Sequence, residues 1–206
     1  LLRLPTLRAS IVGGFLFRLG IGALPFLLPL LMQVGFGLSP FQSGLVTFSS
    51  AVGAMGMKTL AARIIRTFGF RNMMTVNAVV SSVFLAACAL FTITTPLTLI
   101  FIILVVGGFF RSLQFTAINT VAYAEVEPAQ MSRATTLVSV NQQLAISAGV
   151  AVGALSVEST MLHQHVTELN AGVFSPAFLV VAIISPVLAH YFCQFAGDAV
   201  HELYGS

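Results

Sequence analysis

Charge is what this chain has least of. Asp, Glu, Lys and Arg make up 7% of its 206 residues, against about 25% in soluble domains. With 57% hydrophobic residues and a mean hydropathy of +0.99, a water-soluble globule is excluded. Acidic residues are scarcest: there are six, and none falls inside an apolar run. A proton-coupled transporter ordinarily keeps a protonatable carboxylate within the membrane, so any such group has to lie on sequence other than this one. Cysteine is limited to Cys88 and Cys193, both in apolar runs, which excludes a disulfide framework. Also missing are a Gly-rich phosphate loop, a nucleophile elbow, a Ser-His-Asp arrangement and HExxH. Enzymatic activity therefore has no support, and no cofactor is expected. His163 and His165 lack a Cys or a third ligand nearby, so no metal site is expected either. His190 reads as a packed or interfacial histidine. The chain opens Leu1-Leu2-Arg3 without an initiator Met, and its first apolar run is too long for a signal peptide. We expect the interior of a longer protein.

What is present is length in apolar runs. A spanning helix needs about 20 apolar residues, and six runs qualify: Ser10 to Val34, Phe41 to Ala62, Met73 to Phe91, Leu97 to Tyr123, Ala134 to Val157 and Val173 to Phe195. The net charge of +3 is a topology signal and not a nucleic-acid footprint. Arg3, Arg8, Lys58, Arg63, Arg66, Arg71 and Arg133 all fall on one side of these runs, and the connections on the other side carry no Lys or Arg. The positive-inside rule places that basic side, with the C-terminus, in the cytoplasm. The expected fold is an all-α polytopic bundle of six transmembrane helices in membrane lipid.

Of the nine Lys and Arg residues, Arg18 and Arg111 remain unassigned to the basic side; both lie well inside runs, and 93 residues separate them. Spans two and five begin at about the same offset, which suggests a 3+3 inverted repeat. The first three-helix unit would cover 1–95 and the second 96–206.

At 100° per residue, Gly14, Arg18, Gly22, Pro25, Pro29 and Gln33 fall within an arc of about 100° on span one. Lipid does not select such a face. Close packing and a wet cavity both explain it, and a packing or snorkelling arginine on a Pro-kinked helix is the alternative to a cavity role. On span four, Arg111, Gln114 and Asn119 share an arc of about 140°. They fit a substrate contact, a counter-ion site or a network that merely joins helices. Span five carries Gln142 beside Asn141 and Gln143, and of these amides only a subset can reach a cavity. Its Gly149 and Gly153, like Ser49 and Gly53 on span two, form small-xxx-small faces for helix packing. Glu125 and Glu127 read as solvated loop carboxylates.

The segments Leu24 to Gln33 (LPFLLPLLMQ), Val34 to Leu45 (VGFGLSPFQSGL), Met55 to Lys58 (MGMK), Arg66 to Asn72 (RTFGFRN) and Arg111 to Asn119 carry a resemblance over nearly the whole chain. It is similar to the C-terminal half of a major facilitator superfamily transporter, in the fourteen-spanner drug:proton antiporter branch and its MdtD-like exporters. The resemblance implies a bacterial inner-membrane protein that exports a drug or organic ion by alternating access, coupled to protons. It also implies a missing N-terminal half of six or eight spans, which would supply the coupling acid and the opposite cavity wall. Arg18, Gly22, Pro25, Gln33, Arg111, Gln114, Asn119 and Gln142 would then line the path. Lys58, Arg63, Arg66, Gly69 and Arg71 would belong to the cytoplasmic gating loop. Gly69 and Arg71 match that loop's motif, whereas Ala62, Arg66, Thr67 and Phe70 depart from it, so its Asp-Arg pair is missing. The alternative is a standalone six-span scaffold or assembly protein, or a homodimeric half-transporter.

Overall fold

The computed structural model describes residues 4–68, 70–166 and 168–184. The chain is all-α as expected, with no strand among the described residues. Helices α1 (Pro5–Gly22) and α2 (Leu24–Leu30) together fill the first span, and a π-turn over Leu31–Gly35 ends it. Then follow α3 (Pro40–Phe68), α4 (Phe70–Ala87) with a short 3-10 turn, α5 (Leu97–Tyr123), α6 (Met131–Gln164) and α7 (Ala171–Ile184). Among the described residues, four segments are long and apolar enough to cross a membrane: Thr6–Gly35, Met73–Leu90, Leu97–Tyr123 and Pro128–Gln164. The far end of the sixth expected span, with His190 and Cys193, lies outside the described residues.

The first span is two helices because its prolines remove backbone donors. Pro25 cannot bond the carbonyl of Ile21, nor can Pro29 bond that of Pro25. The ladder restarts at Ala23, whose carbonyl accepts from Phe26 N at 3.1 Å and Leu27 N at 2.8 Å. A wide turn follows, closed by Phe36 N to the Leu31 carbonyl at 3.0 Å. Gly37, at φ +69°, then supplies the left-handed residue that reverses the chain. Ser39 and Gln42 form a reciprocal capping box at the start of α3: Gln42 N donates to Ser39 Oγ at 3.2 Å and Ser39 N to Gln42 Oε1 at 3.0 Å.

Two helices outrun their expected spans. α3 continues past Ala62 to Phe68, and α6 starts at Met131 and ends at Gln164, where His165 adopts φ 54°. Neither Arg63 nor Glu158 ends a helix, because charge stops apolar runs and not backbone hydrogen bonding. At 34 residues, α6 is about 50 Å long, so Glu158 and His163 occupy its last turns and not a loop.

α3 packs along α5, α1 along α6 and α4 along α5, while α2 touches α3 and α6. Thus the first helix of each expected three-helix unit lies against the second helix of the other. One apolar cluster gathers Leu27, Leu31 and Met32 with Ile100, Phe174 and Phe178. A second joins Phe17, Met57, Met74, Leu113 and Ile118.

Candidate functional site

Glycine sets the geometry of the α3–α5 contact. A Cβ on Gly53 would collide with the Val105 carbonyl oxygen, and one on Gly108 with the Ser50 carbonyl oxygen. The backbones therefore touch, and Ser112 Oγ reaches across to the Ala54 carbonyl at 3.1 Å. One turn beyond Gly108, Arg111 leaves α5 beside Ser50, and its Nη2 donates to Ser50 Oγ.

On the α1/α2 side of this contact lies a pocket of about 500 Å³. Ile21, Leu24, Pro25, Leu28 and Pro29 form one wall. Gly44, Thr47, Phe48 and Ser50 of α3 form the other, and Arg111 is the charged group at its side. The wall from Ile21 to Pro29 spans the break at Ala23, where Pro25 interrupts the ladder. Arg111 is half-buried, and among the described residues no carboxylate pairs with it.

Arg18 is placed differently. It is 1% exposed, enclosed between α1 and α5, with its guanidinium 5.1 Å from the centroid of the Phe115 ring. Nη2 donates to Asn119 Oδ1 at 2.7 Å, while Nε and Nη1 have no acceptor among the described residues. Gly14 makes the room, because a Cβ there would come within 2.7 Å of Nη1.

Gln114 is also enclosed. Its Oε1 accepts from Asn77 Nδ2 at 2.8 Å, and the same amide donates to the Phe110 carbonyl at 2.9 Å. Asn77, whose role the helical patterning did not show, ties α4 to α5 by these hydrogen bonds. A lone amide in an otherwise apolar span was the available signal.

Of the sequence candidates, the structure therefore brings Pro25 and Arg111 to the pocket. Gln33 is exposed and does not line it, with Nε2 3.5 Å from Ser43 Oγ. Gly22 packs against the backbone of Ile146, and Gln142 is half-buried on α6 next to Asn141, which donates to the Ile11 carbonyl at 3.0 Å. Gly149 lies on the Leu19 carbonyl and Gly153 on Ala23 Cβ, so both stand in the α6 contact with the first span. Ser49 is fully buried and bonds its own helix at the Val46 carbonyl, 2.6 Å away. Lys58 and Arg63 are exposed on α3. Gly69 and the side chains of Arg66 and Arg71 lie outside the described residues.

Glu125 is not simply solvated. Its Oε2 accepts from Thr6 Oγ1 at 2.5 Å and Thr6 N at 3.3 Å, tying the start of α1 to the end of α5. A carboxylate at a helix N-terminus satisfies a free backbone donor and favours the helix dipole.

A family model described as Major Facilitator Superfamily matches residues 10–197. Curated relatives named MdtD, for multidrug resistance, are also similar. The relative from Serratia proteamaculans (strain 568) is 31% identical over 188 residues, which cover 89% of this chain and 39% of the relative. That from Enterobacter sp. (strain 638) is 32% identical over 206 residues, covering 96% and 42%. One from Salmonella newport (strain SL254) is 29% identical over 211 residues, covering 98% and 44%. The chain thus spans about two fifths of the length of these relatives.

Proposed function

Because the chain belongs to the major facilitator superfamily, we propose that it forms the C-terminal, six-span half of a proton-coupled exporter of drugs or small organic metabolites. Alternating access would rock this bundle against an N-terminal half of six or eight spans around a midplane site. The observation that carries this reading is the pocket beside Arg111, an opening of about 500 Å³ at the crossing of α2, α3 and α5. A cation is costly inside a membrane unless it is hydrated, paired or used, and Arg111 stands at the wall of an open space.

The packing of α1 on α6 and of α3 on α5 supports the 3+3 inverted repeat, with units at 1–95 and 96–206. Multidrug resistance in the relatives' names supports efflux of small molecules. The protein would sit as a multi-pass protein in the bacterial inner membrane with its C-terminus in the cytoplasm, where Lys58, Arg63, Arg66, Gly69 and Arg71 would form the gating loop. No carboxylate lies mid-helix among the described residues, so the proton-carrying acid would belong to the other half.

The test is accumulation in inverted membrane vesicles that carry the full-length protein and are energised by a pH gradient. The panel contains lipophilic cations, neutral compounds and organic anions. Gradient-dependent accumulation of any of them, above vesicles lacking the protein, is the expected result. If the whole panel equilibrates passively, the transport reading fails and a scaffold role takes its place.

A further inference from the structure

We propose that the pocket beside Arg111 binds the charged end of an amphipathic organic anion, a carboxylate or sulfonate on an apolar body; this rests on the transport reading above. Three observations converge on it. The first is charge: Arg111 is the charged residue lining the pocket, and no carboxylate among the described residues neutralises it. The second is donor accounting. Ser50 takes one N–H of the guanidinium, which fixes the group's orientation and leaves further donors without acceptors among the described residues. A planar fork of this kind matches the two oxygens of a carboxylate or sulfonate.

The third is the rest of the wall. Ile21, Leu24, Leu28 and Phe48 offer apolar surface, Pro25 and Pro29 lack N–H donors, and the volume suits a ligand with an aromatic or branched body. A lipophilic cation placed here would meet a like charge at close range and be repelled. Arg18 does not share this task, since it is enclosed between α1 and α5.

The experiment uses two permanently charged probes with one ring system, 2-naphthalenesulfonate and (2-naphthyl)trimethylammonium. Both are followed in energised inverted vesicles carrying the full-length protein. Accumulation of the sulfonate in preference to the ammonium is expected. Arg111→Gln should lower sulfonate accumulation by about 10- to 100-fold, the worth of a charge-assisted hydrogen bond, and Arg111→Lys should retain part of it.

If Arg111→Gln does not fold, Thr47→Glu decides. A carboxylate on that wall of the pocket should neutralise Arg111 and move the preference toward the ammonium. Preference for the ammonium in the unmodified protein overturns the proposal. So does sulfonate transport that is indifferent to both Arg111→Gln and Thr47→Glu in folded protein. If neither naphthyl probe moves while another compound of the wider panel does, the anion site is lost and the transporter stands. If nothing moves, both readings fall together.

Discussion

Arg111 donates a hydrogen bond to Ser50 across the α3–α5 contact, and the backbone carbonyl of that same serine lies against Gly108. The side chain that marks the pocket is thus held by a residue whose position depends on a glycine one turn earlier. Any change that separates α3 from α5 moves Arg111 as well.

Gly108→Val tests that dependence. Valine at this position meets a backbone carbonyl that has no room to move, and overpacking of this kind costs about 1–3 kcal/mol. Thermal unfolding of the detergent-solubilised protein should show a clear loss. Gly56→Ala, where nothing lies within 4 Å of the new methyl, should instead be neutral or gain about 0.5–1 kcal/mol of helix stability. Equal behaviour of the two variants would contradict the close backbone approach.

Asn119→Ala and Arg18→Met should behave unequally. The first removes the one acceptor, among the described residues, of a guanidinium that is 1% exposed, and losing a hydrogen bond to a charged group costs about 1.5–3 kcal/mol. The second removes the charge itself and should be far milder. Unfolding of the two single variants and the double variant measures the difference, and a mild Asn119→Ala would show that Arg18 has another partner.

Asn77→Ala should loosen α4 from α5. Its amide serves both Gln114 and the Phe110 carbonyl, and interhelical side-chain hydrogen bonds in membranes are worth about 0.6–1.7 kcal/mol. A lowered unfolding temperature with undiminished affinity for transported compounds is expected. Weakened affinity instead would place Asn77 in the pathway.

Glu125→Ala should fray the first turn of α1. Losing a side-chain acceptor at a helix N-terminus costs about 0.5–2 kcal/mol, so amide exchange at Thr6 should quicken by about 2- to 30-fold. Glu125→Gln keeps an acceptor oxygen and should exchange more slowly than the alanine variant. Unchanged exchange in Glu125→Ala would mean the contact adds nothing to the order of that turn.

The sequence by itself determined the class of fold and most of the helices, because apolar runs, scarce charge and the placement of arginines follow directly from what a bilayer tolerates. Leu97–Tyr123 appears as a helix at the expected bounds. Helix ends were less legible at Phe68 and Gln164, since a charged residue leaves the bilayer without leaving the helix.

The fate of the two arginines inside apolar runs was decided only by tertiary structure. On a helical wheel Arg18 and Arg111 look alike, each a cation among apolar and small residues, 93 positions apart. What separates them lies on other helices: Phe115 and Asn119 close over Arg18, whereas Ser50 holds Arg111 at the edge of a pocket walled by α1, α2 and α3. Periodicity places a side chain on a face. What covers that face depends on how closely the next backbone approaches, and the glycines that permit the approach act only on a neighbour that sequence order does not name.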